Sequence, residues 1–436
     1  MGRHRGAALG GGTENMGSDS ETFLAAAFSK FDQSPAPEQE LILNGLMDHI
    51  LAAPLESLAA LDGLLTPERE NHEACRIAGA IALFAAGMPD KAETLARAAF
   101  DDGCRRGILF ELLVRILSEA DRADKAIAIL EANRQVVIDN PQLIKRLAAL
   151  HFINENYQEA SHYCRIVRSW CSDKLLETVR RSNAEMERLI LESGENLGGD
   201  AIAALNPYQG DEFQRASWLE YSEEINTGKG RYQASIPYLN ALFQGHVERI
   251  LKELDDVRLV INFGSLFGFS EYALARRRPD VDVVGYDYSP VAKDLNDQVF
   301  SAANLSYLAG PFREQIAPLT DGRRSLLCHI RTGTLMSPLE LADLYGQCRE
   351  LGVAAVLVLE DVNFNLTRAE YPDFSRSSRK TMLMGGVLMN HDYPYFLEKS
   401  GYRMARRWRR LYPLSLGETI NADSMVTEII DARRLE

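Results

Sequence analysis

The 436-residue sequence contains no run of eighteen apolar residues, which excludes a membrane-spanning helix. Its opening, MGRHRGAALGGGTENMG, follows its charges with glycine where a secretory signal would place an apolar core. That opening reads instead as a disordered leader through about Asp19, with Met16 as an alternative start. None of the six cysteines forms a C-x-x-C pair, so zinc-ribbon and dithiol chemistry are excluded and no metal site is expected. A reduced, cytoplasmic protein is the expectation. A formal net charge of −14 repels a phosphate backbone over most of the surface, so no nucleic-acid partner is expected.

Hydrophobic residues make up 46% and charged residues 25% of the chain, an ordinary globular balance in a chain too long for one core. From Glu21 to about Ser193 apolar residues recur at helical spacing and strand alternation is missing. Within that half, PDKAETL (89–95), ADKAIAIL (123–130) and YQEASHYC (157–164) place Ala92, Ala126 and Ala160 at equal intervals, and Leu83 and Leu117 share the spacing. The interval is the length of a tetratricopeptide unit, about 34 residues. A small residue at each helix contact with this period resembles tetratricopeptide repeats over about residues 70–172, although their large aromatic signature residues are mostly missing. The resemblance implies an all-α repeat domain (20–193) that binds a protein partner, with 172–193 as its terminal helix. An irregular helical bundle is the alternative. The polar, glycine-containing stretch 194–210 reads as a linker, and 211–256 as a helical lead-in.

From Val257 onward, short β-branched runs at 257–263, 281–287, 305–310, 325–330 and 353–360 alternate with helical segments at 270–278, 290–300, 312–319 and 338–351. That alternation predicts a doubly wound α/β sheet, whose ligands bind beyond the carboxyl ends of its strands. The loop after the first strand holds Gly264 and Gly268, with Ser265 between them, and the second strand ends on Asp287. An acid about 20 residues beyond a glycine loop, as Asp287 is, can accept hydrogen bonds from ribose hydroxyls. The loop lacks G-x-G-x-x-G, and Phe269 stands where a P-loop would carry lysine, so pyrophosphate binding is disfavoured.

In these features the segment 257–436 resembles class I S-adenosylmethionine-dependent methyltransferases, a Rossmann-like family whose first motif runs strand, acid, aromatic, then three alternating glycines. Onto that motif fall Asn262 at the acid, Gly264, Leu266 at the second glycine, and Gly268, with Asp287 at the acid of the next strand. The resemblance implies S-adenosylmethionine as cofactor, held by Asn262, Gly264, Ser265, Gly268, Asp287 and Tyr288, with Phe312 walling the adenine where many members use an acid. It departs from the family at Asn262, Leu266 and Pro311.

Methyl transfer to a hydroxyl needs alignment and a base. Candidates lie after the fourth and fifth strands: His329, Asp361 and, preferred, His391, expected at a loop-to-helix entry. A capping or buried histidine is the alternative for both imidazoles. The insertion between Asp361 and Tyr393 is long enough to close over a substrate, with Gly385 and Gly386 as hinges, while Arg376, Arg379 and Lys380 form either an anion site or a solvated turn. Arginine-rich 403–413, which includes Trp408, reads as a late edge strand and 424–434 as the last strand. The expected function is O-methylation of a small-molecule or glycan acceptor. A non-catalytic scaffold and an NAD-dependent oxidoreductase are the rivals.

Overall fold

A computed structural model describes residues 16–64, 72–178, 180, 181, 184, 211–227, 231–364, 366, 368–385, 388–411 and 425–435. The linker expected at 194–210, and most of the terminal helix expected at 172–193, lie outside them. The described chain divides into two compact units, with the boundary after Leu147. That boundary falls well before the expected linker. Phe152 stacks on Tyr371 at 4.6 Å, and Arg409 donates to the Phe152 carbonyl and the Tyr157 hydroxyl, so the end of helix Pro141–Ile153 and all of helix Tyr157–Ser169 belong to the second unit.

The first unit is helical from Met16, so residues 16–19, assigned above to the leader, are already helix. Helices at Glu73–Ala85, Gly107–Glu119 and Pro141–Ile153 begin at the same spacing as the alanines, and so do those at Pro89–Asp101, Ala123–Ala132 and Tyr157–Ser169. The chain reversal inside each pair repeats too. Gly87, Asp121 and Glu155 all take positive φ, at 78°, 55° and 61°. The next amide then reaches back to the carbonyl of Leu83, Leu117 or His151, at 2.8–2.9 Å. Those bonds satisfy carbonyls that a helix end leaves unpaired, and a left-handed residue is what makes them reachable. Ala92, Ala126 and Ala160 are fully buried. In the first pair Gly79 lies where a Cβ would come 2.9 Å from the Leu95 side-chain tip, so the two helices pack closely there.

The second unit contains a seven-stranded sheet. Its strands are β1 (Leu259–Phe263), β2 (Asp282–Asp287), β3 (Leu305–Ala309), β4 (Ser325–Ile330), β5 (Ala355–Asn363), β8 (Tyr402–Leu411) and β9 (Met425–Arg434). Across the sheet they lie in the order β3-β2-β1-β4-β5-β9-β8. β1 to β5 run parallel, whereas β9 is antiparallel to both β5 and β8. The doubly wound expectation holds for these strands. Successive β1 side chains serve opposite cores. Leu259, Ile261 and Phe263 pack with Tyr286, Leu327 and Tyr345, and Val260 packs with Val283, Leu357 and Phe243 of helix Arg231–Glu253. Burial on both faces is why these strands are continuous apolar runs.

A separate hairpin, β6 (Thr381–Gly385) and β7 (Leu388–His391), occupies the insertion after β5. The Asn390 side chain holds it to β5 by accepting from the Asn363 amide and donating to the Asn363 carbonyl.

Candidate functional site

Because β1, β2, β4 and β5 are parallel, their carboxyl ends share one edge, and the loops that carry Gly264, Asp287, Arg331 and Phe364 gather there. Gly264 adopts φ 82° and Gly268 φ 64°. At Gly264 a Cβ would come 2.0 Å from Thr332 Oγ1, and at Gly268 it would come 2.7 Å from both Asn296 and the Tyr307 hydroxyl. Each position therefore needs glycine twice over, for its backbone and for its neighbour. The loop is held by the Gly264 and Ser265 amides donating to the Tyr286 carbonyl, and by the Trp218 indole donating to the Leu266 carbonyl at 2.9 Å. The Leu266 backbone is thereby fixed from outside by helix Asp211–Thr227.

Beneath the loop, Asn262 is buried on β1 and donates to Glu271 at 2.5 Å. Burial pushes the Glu271 carboxyl up to about 7, with the Asp287 charge adding to the rise and the Asn262 amide opposing it. The Asn262 carbonyl oxygen is buried and has no hydrogen-bond partner among the described residues. In the sequence Glu271 is only the second residue of the helix expected at 270–278. Its signal was an acid on the helix face that also carries the buried Leu274 and Ala275.

Asp287 is buried at the end of β2 and accepts from the Ser289 amide at 3.1 Å. Tyr288 is 49% exposed, its ring edge-on to Phe263. Phe312 is buried, with its ring against Phe263 and Tyr286 at 5.5 and 5.1 Å, and so is part of the aromatic cluster that Tyr288 borders.

The two histidines are both buried and hydrogen-bonded within the protein. His329 is fully buried between Glu360 (2.6 Å from Nδ1) and the Tyr345 hydroxyl (2.8 Å from Nε2), so both ring nitrogens are engaged. Glu360, ending the run of β5 that faces it, also accepts from the amides of Thr332 and Gly333 at 3.0 and 2.7 Å. One carboxylate thus fixes both the imidazole and the loop after β4. The sequence offered no sign that Glu360 and Thr332 would meet.

His391 ends β7, so a strand and not a loop leads into helix Tyr393–Lys399, whose N-cap is the next residue, Asp392. Its Nε2 faces the Met336 carbonyl at 3.1 Å, which requires a proton there, and its Nδ1 accepts from Thr381 Oγ1 at 2.8 Å. Burial pushes its pKa down to about 4. A neutral ring with both nitrogens used ties the hairpin to the loop after β4 and has no lone pair left for a substrate proton.

Asp361 remains at the sheet edge. It pairs with Arg331 and lies 3.4 Å from Thr427 Oγ1. Burial raises its carboxyl pKa, and the Arg331 guanidinium opposes that rise. Arg331 itself holds φ 54°, an uncommon conformation for a residue with a side chain, and it aims the guanidinium at Asp361.

Trp408 on edge strand β8 is covered by His246 at 4.9 Å and the Arg249 guanidinium at 4.3 Å, so its ring is committed to the protein. Among the described residues no helix is long and apolar enough to cross a membrane.

No family model and no curated protein matches the sequence. Solved structures match part of it. Magnesium protoporphyrin IX methyltransferase from Synechocystis PCC 6803, crystallised with bound SAH, shares 15% identity over 53% of this chain and 99% of its own, with a TM-score of 0.35. Human N-acetylserotonin methyltransferase in complex with SAM shares 13% over 52% of this chain and 58% of its own, at 0.33. A putative sarcosine dimethylglycine methyltransferase from Galdieria sulphuraria shares 12% over 44% and 84%, at 0.30.

Proposed function

We propose that the second unit transfers a methyl group from S-adenosylmethionine to an oxygen of a small-molecule or glycan acceptor. The observation that carries this reading is the joint geometry at one sheet edge: left-handed Gly264 and Gly268 after β1, beside Asp287 closing β2. That edge fits a nucleoside. Asp287 offers a carboxylate for ribose hydroxyls, the buried Asn262 oxygen lacks a partner among the described residues, and the half-exposed Tyr288 follows Asp287 in the chain. The loop has no pyrophosphate cradle, which argues against a dinucleotide and against the oxidoreductase reading.

When bound, S-adenosylmethionine supplies a methyl on a positively charged sulfonium, and no nucleophile from the protein is needed. The protein's own task is orientation and proton handling. Asp287 fixes the ribose end. Asp361, its carboxyl raised by burial, is the remaining candidate to accept the acceptor's proton, with Arg331 and Thr427 holding it in place. The helix pairs, with their shared period, suit a tetratricopeptide-like surface for a protein partner.

A second reading has its own support. Both histidines are saturated and Asn262 replaces an acid, as a non-catalytic scaffold would tolerate. Equilibrium dialysis with radiolabelled S-adenosylmethionine, followed by a search for label in small molecules of a cell extract, separates the two. Label moved to an acceptor, and not moved by Asp361→Asn, supports transfer. Binding without any transfer supports the scaffold, and absence of binding removes transfer.

A further inference from the structure

An open cavity of about 540 Å³ lies in the second unit, between helix Tyr157–Ser169 and the insertion that follows β5. We propose that it binds a hydroxyl-rich small molecule carrying a phosphate or carboxylate, of the size of a sugar phosphate or sugar acid.

Tyr157, Ser161 and Arg165 recur every fourth residue and so form one stripe on that helix, while Ala160, Cys164 and Val167 bury an adjoining face. This stripe faces Arg368, Glu370 and Arg376 of the insertion. The wall behind them is firm, because Tyr371 is buried between Phe152 and Phe364 at ring distances of 4.6 and 5.5 Å. Tyr157 is fixed from behind by the Arg409 guanidinium at 3.1 Å.

The lining determines the ligand class. Three guanidiniums face two carboxylates, and one of these, Asp373, already accepts from Ser375 and pairs with Arg376 at 3.5 Å. Positive charge is in excess, on the residue type whose planar fork suits phosphate and carboxylate. Gln158, Ser161 and Glu370 add donors and acceptors for hydroxyls, and the volume lies within the range of small-molecule pockets.

The cavity is also linked, through the β6–β7 hairpin, to the loop after β4. Met382 lines it, and the preceding residue, Thr381, holds His391 against the loop after β4. Identifying this ligand as the methyl acceptor rests on the transfer reading above. The occupancy of the cavity does not.

Calorimetric titration of the full-length protein with glucose 6-phosphate, glucuronate and glucose tests it, alongside a separate titration with S-adenosylhomocysteine. The expected result is saturable binding of at least one anionic sugar, ten-fold or more tighter than glucose. That binding should be lost in Arg165→Glu/Arg376→Glu, two exposed positions, and kept in Arg403→Glu on β8. Which sugar binds distinguishes phosphate from carboxylate. No anionic binding up to about 10 mM, binding equal to glucose, or binding unchanged in the double variant overturns the proposal. Retained S-adenosylhomocysteine binding in any of those cases leaves the transfer reading standing. Loss of that binding alone removes the transfer reading and leaves the cavity's.

Discussion

Gly264 shows how one residue can carry both a fold and a site. Alanine there must hold φ 82° and place its Cβ 2.0 Å from Thr332 Oγ1, which is itself pinned to the Phe263 and Ile330 carbonyls at 3.1 Å. Gly264→Ala should lower stability by about 3 kcal/mol, measured by urea denaturation, and a loss under about 0.5 kcal/mol would show that the loop yields. Glu271 makes a pH-dependent prediction. Its folded pKa, raised to about 7 from 4.5, means that the folded state holds the proton more tightly than the unfolded chain. The group's stabilising contribution is therefore full below pH 4.5 and is lost as pH rises toward 7, by up to about 3 kcal/mol. Glu271→Gln keeps an acceptor for Asn262 and removes the titration. Its advantage over wild type should grow between pH 5 and 8, and a constant difference across that range would contradict the assignment.

At the scale of elements, the arginine-rich edge strand explains itself through its neighbour. Glu428 on β9 is buried and accepts from both Arg407 and Arg409 of β8 at 2.6–2.9 Å. Although burial alone would raise it, the two guanidiniums hold its carboxyl below the ordinary value. Glu428→Ala should cost about 4 kcal/mol, read by denaturation, because two guanidiniums would lose their partner. A loss under about 1 kcal/mol would mean that water replaces the carboxylate.

The central strands β1, β4 and β5 were legible because burial on both faces makes them apolar runs. The β6–β7 hairpin was not. Its strands are short, and the only signal was the Gly385-Gly386 pair between apolar segments, which read as a hinge and not as a turn. For the same reason His391 was expected in a loop. Two hydrogen bonds to elements 10 and 55 residues away decide its role, and local sequence carries no record of them.

For the whole chain, periodicity and alternation were the readable features. The regular spacing of the alanines reappears in helix starts, in left-handed residues and in reaching-back amides. Alternation of strand and helix reappears as the parallel core of the sheet. The division into units was harder to read. It depends on Phe152 and Tyr157 meeting Tyr371 and Arg409, contacts between segments far apart in sequence.

The central claim, that the sheet edge beside Gly264 holds a nucleoside cofactor through Asp287, is tested most directly by calorimetry with S-adenosylhomocysteine on wild type and Asp287→Ala. Saturable binding by wild type, weakened at least ten-fold in the variant at unchanged melting temperature, is the predicted result. No binding by wild type up to about 1 mM, or equal binding by both proteins, would contradict it.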